Sequence, residues 1–217
     1  MAKAIFSVVD PKLSATSKLH CRSFGLECER WAWNNRLPVN HPCRWCYAAT
    51  GNTRQHKVRD VLRHNSAIIC GITRAVDTVA KDIAYHIGHD RYFRWHHAGT
   101  LTSVRHYDII RRTCELTPAT LHWLPVTPET LCYITGKKPS NLTIRVSGTV
   151  IDGVAPKGGT VVYTKVCPKG HFKCPGECGV KDTDYCRVCW ETKRRVGYKI
   201  HFDAIVTREA RKAGLDV

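Results

Sequence analysis

The longest hydrophobic pattern of the chain lies between residues 54 and 88. Apolar side chains recur there at steps of three and four residues, which is the spacing of an amphipathic helix that buries one stripe. The stripe consists of Val58, Val61, Leu62, Ile69, Ile72, Val76, Val79, Ala80 and Ile83. We predict helix from near Cys46 through this stretch, with Gly71 as the residue that divides it.

The rest of the chain alternates between predicted strands and predicted helices. The segment LTSVRHYDIIRRTCELTP predicts a helix that a Thr/Ser cap opens and that ends before Pro118, and TREARKAGL predicts a basic terminal helix. The first fifty residues are predicted to be loop-like, since prolines interrupt them. Runs rich in β-branched and aromatic residues predict strands at RYFRWHH, ATLHWLPV, NLTIRVSGTVI, TVVYTKV and VGYKIHF.

This alternation predicts an α/β fold. We expect a partial (β/α) barrel-like architecture with a mainly parallel sheet, covering helices and cysteine-rich metal-binding loops. Ligand sites of such folds gather at the carboxyl ends of the strands. The chain divides into a loop-rich segment with cysteine ligands, 1–52, a β/α core, 53–166, and a cysteine-cluster module with the final strand and basic helix, 167–217. We expect the three parts to form one integrated domain.

The charge of the chain indicates a partner. Its 217 residues include 34 Lys and Arg against 18 Asp and Glu, a net charge of +16 with histidine neutral. Such a field attracts polyanions and speeds their encounter, so DNA or RNA is the expected partner. The alternative is a set of charges that only face solvent. The candidate phosphate contacts are Arg105, Arg111, Arg112, Lys193, Arg194 and Arg195.

The twelve cysteines raise the question of the compartment. The opening stretch MAKAIFSVVDPKLSATSK lacks the basic, apolar and small-residue regions of a signal peptide, so we expect a cytoplasmic protein. No apolar run reaches the roughly 18 residues that span a bilayer, so no membrane partner is expected. In a reducing compartment, closely spaced cysteines favour metal ligation over disulfides.

The strongest metal signal lies near the carboxyl terminus. A stretch rich in Gly, Pro, Lys and Asp cannot build an apolar core, so coordination would give it a reason to be ordered. Structural zinc takes four thiolates, and a 4Fe-4S cluster takes four, or three when one iron is left open. The five candidate cysteines are at least one more than zinc or a cluster requires. The alternative is that they are free thiols in a loop. They are Cys167, Cys174, Cys178, Cys186 and Cys189.

A second group of cysteines lies near the amino terminus. Cys43 and Cys46 are close enough in sequence to chelate one ion, whereas Cys21 and Cys28 would have to be brought back by the fold. Alternatively, the two cysteine groups meet in space and share ligands. Isolated cysteines in apolar segments are predicted to be buried small hydrophobes. These are Cys70, Cys114 and Cys132.

Two adjacent histidines follow a predicted strand. His96 and His97 lie at its end, and because alternate strand residues face opposite sides, only one of them can point into a given site. That one is a candidate catalytic or metal-binding histidine. The alternative is one packed and one solvated imidazole. The chain has no Walker loop, GxGxxG fingerprint or HExxH motif.

Six segments occur in the order seen in a family of phage-encoded proteins: KLSATSKLHCRSFGL, CRWCYAATG, RWHHAGTL, HWLPVTPE, NLTIRVSG and CRVCW. Over most of its length the chain resembles this gene-product-eighty-eight-like family. Members show a cysteine before Tyr-Ala-x-x-Gly, a strand ending in His-x-Ser-Gly-Asp, a Trp-Leu-Pro strand and a late cysteine cluster closing in Cys-Trp. The family looks like a diverged relative of radical-SAM barrels, so the resemblance implies an architecture, and a bacterial host cytoplasm, more directly than an activity.

The family motifs map onto this sequence with two departures. Cys46-Tyr47-Ala48 and Gly51 match the first motif, with Cys43 as companion ligand, and Cys167-Pro168 and 186–190 match the late cluster. His96 and Gly99 match the third motif, but Ala98 and Thr100 replace its Ser and Asp. That replacement removes the carboxylate best suited to proton transfer.

The cofactor spacing departs as well. Radical-SAM enzymes hold their cluster with CxxxCxxC, which Cys28, Cys43 and Cys46 do not reproduce. S-adenosylmethionine is therefore only weakly supported by this resemblance, and an iron–sulfur cluster or zinc remains the expected cofactor.

Three functions follow from these observations. The first is a phage-type iron–sulfur protein, 4Fe-4S being favoured, that binds nucleic acid and could modify it with His96 or His97 near the cluster. The second is a non-enzymatic, zinc-stapled module that binds nucleic acid or a host protein. The third is a metal-dependent nuclease. The sequence leaves open whether the protein is an enzyme.

Overall fold

The structure is a computed structural model that describes residues 10–16, 21–28, 36–46, 53, 55–175, 186–191, 193–200 and 204–217. Its strands are β1 (Ser14–Thr16), β2 (Cys21–Phe24), β3 (Tyr92–Trp95), β4 (Leu121–Val126), β5 (Leu142–Val146), β6 (Thr160–Tyr163), β7 (Phe172–Lys173) and β8 (Val196–Lys199). Its α-helices are α1 (His56–Cys70), α2 (Val76–Ile87), α3 (Val104–Leu116), α4 (Val188–Glu191) and α5 (Ala204–Lys212). Two 3-10 helices cover Pro42–Trp45 and Pro128–Tyr133.

The strands form two sheets that meet at one point. The larger sheet has the order β1-β2-β3-β4-β5, in which β1 is antiparallel to β2 and the other pairs are parallel. The smaller sheet has the order β6-β8-β7 and is parallel throughout. A parallel bridge between Ser147 and Thr160 links the end of β5 to the start of β6. The predicted α/β fold with a mainly parallel sheet is confirmed, and the described strands do not close into a barrel.

Two amphipathic helices cover one face of the larger sheet. α2 and α3 pack on each other and enclose the main apolar core, which includes Ile83, Phe93, Trp95, Ile110 and Leu124. The core-facing residues of β3 and β4 alternate with residues that face the other side of the sheet, because successive residues of a strand face opposite sides. The stripe predicted over residues 54–88 lies on α1 and α2 and is buried at most positions, namely Leu62, Ile69, Val79, Ala80 and Ile83.

The structure corrects the start of the first helix. Cys46 has an extended backbone with ψ 125° and follows the 3-10 helix Pro42–Trp45, so α1 begins at His56 rather than near Cys46. Gly71 does end α1, as predicted, and donates its amide to the carbonyl of Ala67. Ile72 was assigned to the buried stripe but is 86% exposed, because it lies in the turn between α1 and α2.

Short elements outside the strong hydrophobic patterns were not predicted. β1 and β2 lie in the segment predicted as loop, and β7 and α4 lie in the cysteine-rich module. The helix over α3 is as predicted: Ser103 caps it and it ends at Leu116. Among the isolated cysteines, Cys114 is buried as predicted, whereas Cys70 and Cys132 are exposed because each lies at the outer side of a helix.

The carboxyl-terminal segment covers the other face of the larger sheet. The Trp190 indole donates to the carbonyl of Phe93 at 2.9 Å, and the Thr143 hydroxyl donates to the carbonyl of Trp190 at 2.6 Å. The Trp190 ring also meets the edge of Trp123 with 5.1 Å between the ring centroids. These contacts place α4 and the residues that follow it against the centre of the sheet.

In the described parts of the chain, no helix combines the length and hydropathy of a membrane span.

Candidate functional site: buried histidines, thiol cluster and basic groove

The two candidate catalytic histidines diverge at the carboxyl end of β3. His96 has φ 53°, a left-handed conformation that a non-glycine residue rarely adopts. Its amide donates to the carbonyl of Phe24 at 2.7 Å, which extends the pairing of β2 with β3. His96 is 2% exposed, whereas His97 is half-buried. As the strand geometry predicts, the two imidazoles have different surroundings.

His96 belongs to a buried pair of neutral imidazoles. His106 Nδ1 accepts from the Thr102 amide at 3.3 Å and from its hydroxyl at 3.1 Å, which leaves His106 Nε2 as the donor to His96 Nε2 at 3.2 Å. His96 Nδ1 then donates to the carbonyl of Pro125 at 3.5 Å. Burial lowers the pKa of His96 to about 3 and holds the pKa of His106 well below its usual range. The pair joins β3, β4 and α3 by neutral hydrogen bonds.

His97 faces the opposite side and contacts β2. The Ser23 hydroxyl donates to the carbonyl of Ser14 at 3.1 Å, so His97 Nδ1 acts as the donor to that hydroxyl at 3.0 Å. The imidazole lies so close to Gly25 that a β-carbon there would collide with it. Burial, with a smaller contribution from Arg94, lowers the pKa of His97 to about 4. His97 is therefore neutral at physiological pH.

Thiols from the two ends of the chain come together on this face. Cys21 of β2 and Cys189 of α4 belong to one apolar cluster that also contains Trp123 and Trp190. Cys189 Sγ lies 2.9 Å from the hydroxyl of Tyr198. Desolvation raises the pKa of each of the two thiols to about 11, so both carry their protons at neutral pH. One cysteine from each of the two groups therefore lies in the same apolar cluster, whereas shared metal ligation stays a prediction.

Two more thiols lie near β8. Cys167 Sγ occupies the space beside Gly197, and the Cys174 amide donates to the carbonyl of Gly197 at 2.9 Å. Both raise the pKa of Tyr163, although burial of that phenol is the larger cause. Tyr163 is 1% exposed, and its hydroxyl has no hydrogen-bond partner in the described part of the molecule. We name Cys21, Cys167, Cys174 and Cys189 the thiol cluster.

The remaining candidate ligands lie apart from the thiol cluster or outside the described residues. Cys46 packs against Val58, Leu62 and Ala98, in a different apolar cluster from Cys21 and Cys189. The Cys43 amide donates to His41 Nδ1 at 3.1 Å. Cys28 and Cys186 are half-buried, and Cys178 lies outside the described residues.

The described thiols do not by themselves form a metal site. Over the residues placed by the structure, no three His, Cys, Asp or Glu side chains form a group that could hold a metal ion, and none of the described cysteines is in a disulfide. A metal centre in the cysteine-rich module would need at least one further ligand from outside the described residues, and Cys178 is one candidate there. The metal ligands named from the sequence therefore stay predictions.

The basic residues of α3 serve the fold. Arg105 donates to the carbonyls of Gly71 and Arg74, which closes the turn between α1 and α2. Arg111 and Arg112 are in ion pairs, with Asp108 and Glu115 for the first and with Asp77 and Glu115 for the second. Their charges are therefore largely compensated on the protein surface.

The basic residues after α4 have a different environment. Arg194 and Arg195 line an open groove of about 490 Å³ together with Gly170, His171, Phe172 and Lys173. In the described parts of the chain, no carboxylate lies within ion-pair distance of Lys173, Lys193 or Arg195. We call this feature the basic groove.

Hydrogen bonds fix the walls of the basic groove. The His171 ring accepts from the Ala155 amide through Nε2 at 3.1 Å, and its Nδ1 donates toward the carbonyls of Pro168 and Lys169, each at 3.2 Å. This pattern requires the neutral imidazole, so His171 shapes the groove without adding charge. The Phe172 amide donates to the carbonyl of Arg195 at 2.8 Å, which joins the two walls.

A buried arginine holds the groove on the larger sheet. Arg145 of β5 is 0% exposed. Its guanidinium donates to the carbonyl of Cys189 at 2.9 Å, to those of Gly158 and Arg194 at 2.8 Å, and to that of Val188. The only sequence signal for this role is a charged residue inside the apolar strand LTIRV.

Sequence reasoning missed several other residues of these candidate sites. Arg94 lies over the Trp123 ring at 4.4 Å and lowers the pKa of His97. Lys173 was not assigned to any site, although it lines the basic groove. His106 occupies an ordinary polar position of an amphipathic helix, so no local pattern separates it from a solvated residue. The signals for these residues arise only from contacts between distant segments.

Comparison with known proteins gives the family of the chain. No curated protein and no solved structure matches the sequence significantly. A family model with the description Gene product 88 matches residues 9–192. This span runs from β1 through α4 and so contains the larger sheet, the buried histidines and the CRVCW segment. The chain therefore belongs to the phage Gene product 88 family.

Proposed function

We propose that the protein binds nucleic acid and that the basic groove contacts the phosphates. The observation that carries this proposal is the contrast between two sets of basic residues. Arg111 and Arg112 are paired with carboxylates, whereas Lys173 and Arg195 have no carboxylate within ion-pair distance among the described residues. Basic side chains that the protein itself does not neutralise are available to a polyanion.

The charge of the whole chain supports the same proposal. The net charge of +16 attracts a polyanion from a distance, and exposed Lys and Arg side chains then exchange counterions for phosphates. Counterion release makes the affinity depend on salt concentration, with a slope that counts the neutralised phosphates. Salt dependence therefore measures the contacts that the groove makes.

A pair of matched double variants tests the proposal. Lys173→Ala/Arg195→Ala and Arg111→Ala/Arg112→Ala each remove two positive charges, the first from the groove and the second from ion pairs on α3. Binding of labelled DNA and RNA is measured by fluorescence anisotropy between about 50 and 200 mM salt. The groove variant is expected to lose affinity about tenfold or more and to reduce the salt slope by about 1.5.

The α3 variant distinguishes a local contact from a general charge effect. Its affinity is expected to stay close to that of the unaltered protein, because the removed charges are already compensated. Equal losses of affinity in both variants would show that the groove contributes only to the general positive charge and makes no specific phosphate contacts. A flat salt dependence of the unaltered protein would reject nucleic acid as the partner.

A thiolate metal centre is a separate proposal for the cysteine-rich module. It is supported by the convergence of Cys167 and Cys174 on Gly197, close to a Tyr163 hydroxyl without a hydrogen-bond partner in the described residues. Cys178 is a further candidate ligand that the sequence offers in this module. Of the two expected cofactors, a 4Fe-4S cluster is favoured and zinc is the alternative. Elemental analysis of anaerobically purified protein distinguishes stoichiometric iron, stoichiometric zinc and metal-free protein, and the last result would reject the centre.

A further inference from the structure

We infer that the basic groove binds single-stranded nucleic acid, with a base stacked on Phe172 and the adjoining phosphates on Lys173 and Arg195. This inference rests on the proposed function and adds the class of nucleic acid to it. It is carried by the size of the groove, the aromatic residue in its wall and the short elements that surround it.

The groove has the dimensions of a small-ligand site. Its volume of about 490 Å³ falls within the roughly 300–1,000 Å³ of pockets that enclose small molecules. In a duplex the bases are stacked on one another inside the helix, so a base can stack on Phe172 only where it is unpaired.

Phe172 supplies the surface on which a base stacks. Phe172 lies on β7, which is an edge strand of the smaller sheet among the described strands, and its side chain is half-buried. Phe172 does not belong to any apolar core cluster of the described residues, so its ring is not packed into the core. Aromatic side chains beside cationic ones are the recurring device of single-strand binding, because every base has a π-face.

The cationic residues line the same groove as this ring. Lys173 follows Phe172 directly on β7, and Arg195 accepts the Phe172 amide through its carbonyl at 2.8 Å. Both basic side chains are exposed. A strand that stacks a base on the ring can therefore place its flanking phosphates near the two cations.

The elements around the groove do not suit duplex readout. Proteins that read a duplex insert an α-helix or a two-stranded ribbon into the major groove. The basic groove is bordered by the two-residue strand β7 and by the residues between α4 and β8, and α4 itself has four residues. None of these elements projects a helix surface long enough for the major groove.

Conservative substitutions of Phe172 test this inference in the full chain. Phe172→Leu keeps the apolar volume but removes the ring, and Phe172→Tyr keeps the ring and serves as the matched control. The probes are a fluorescein-labelled oligodeoxythymidylate of about ten nucleotides, its RNA counterpart, and a duplex of the same length. Circular dichroism verifies that both variants are folded.

We expect the unaltered protein to prefer the single strands over the duplex. Phe172→Leu should weaken single-strand binding about 5- to 150-fold without a change in salt slope, whereas Phe172→Tyr should retain it. Deoxythymidine triphosphate should compete only weakly, since it offers one base and no flanking strand. Strong competition by this nucleotide would instead identify a mononucleotide site and overturn the inference.

The outcomes separate this inference from the proposed function. If duplex binds as tightly as single strand, and Phe172→Leu has no effect while Lys173→Ala/Arg195→Ala weakens binding, then the nucleic-acid function holds and the single-strand inference is wrong. If none of the nucleic acids binds in a salt-dependent way, the proposed function itself is wrong.

Discussion

The buried histidines have a structural role that residue type alone does not predict. His96, His106 and His122 are nearly or fully buried, and each is held neutral by burial. His122 donates through Nε2 to the Thr117 hydroxyl at 2.9 Å, because that hydroxyl gives its own proton to the carbonyl of Thr113. Neutral imidazoles thus act as directional hydrogen-bond donors and acceptors within the core.

This burial makes the stability of the protein depend on pH. In the unfolded chain a histidine has a pKa of about 6.5, whereas burial lowers the pKa of His96 and His122 to about 3 in the fold. Between these values the unfolded state binds more protons. Stability is therefore complete above the unfolded pKa and is lost as the pH falls, by up to about 1.4 kcal/mol per pH unit for each such histidine.

Urea unfolding from about pH 7 down to about pH 5 measures this loss. His122→Gln keeps an N–H donor for Thr117 and removes one titrating group, so its stability should fall less steeply with decreasing pH. His89→Gln is the control, since His89 is exposed. A free energy of unfolding that stays constant over this range would contradict the neutral assignments.

At the scale of elements, the turn after β3 depends on one glycine. Gly99 has φ +85°, and a β-carbon added to it would lie 2.8 Å from the Leu26 β-carbon and 3.0 Å from the Leu26 carbonyl oxygen. Leu26 is held in place by a hydrogen bond that its amide donates to the carbonyl of Ala98 at 3.0 Å. The segment after β2 and the turn after β3 are therefore in direct backbone contact.

Gly99→Ala is expected to destabilise the protein through strain and collision together. Gly136→Ala is the matched control, because Gly136 also has a left-handed backbone, φ +69°, but nothing lies within 4 Å of its added β-carbon. Both variants pay the left-handed strain of about 1–2 kcal/mol, and Gly99→Ala should lose a further 1–3 kcal/mol, approximately. Chemical denaturation compares the two, and equal losses would show that the close approach to Leu26 is easily relieved.

The predictability of the elements follows from their hydrophobic patterns. α2, α3 and β4 carry long regular patterns and were predicted from them. β1, β2, β7 and α4 span two to four residues each, so they carry too few positions for a period to be visible. β2 and β7 depend on pairing with strands that are distant in sequence, and α4 depends on packing against β4 and β5, none of which the sequence displays.

At the scale of the whole molecule, Arg145 connects the two sheets with the carboxyl-terminal segment. Its guanidinium serves carbonyls of α4, of the loop before β6 and of the residue before Arg195. A buried cation is costly unless its donors are used, and here four carbonyls use them. The same contacts set the position of one wall of the basic groove.

Arg145→Met is expected to destabilise the protein by more than about 3 kcal/mol, because several buried carbonyls lose their donor at once. Arg145→Lys should recover only part of the loss, since an ammonium lacks the planar fork. Arg91→Met removes an exposed arginine as the control. Urea unfolding gives the three values, and near-equal stability of Arg145→Met and the control would contradict the connecting role.

For the candidate sites, as for the fold, the sequence predicts local features but not contacts between distant segments. The sequence alone drew attention to the basic residues 193–195 and to the histidines after β3, because charge runs and residue type are local properties. It could not separate compensated from uncompensated arginines, since Arg112 and its partner Asp77 are 35 residues apart. It could not assign Lys173 and Phe172 to one groove with Arg195 either.

By itself, the sequence determined the α/β class, the long helices, the central strands and the net positive charge, because periodicity, propensity and composition act within one segment. Only the tertiary structure decided which face each histidine occupies, that Cys21 and Cys189 share one apolar cluster, that Arg145 is buried among carbonyls and that two short segments line one groove. The physical reason is that burial and electrostatic pairing depend on distances in space, which are set when strands from distant parts of the chain adopt their register.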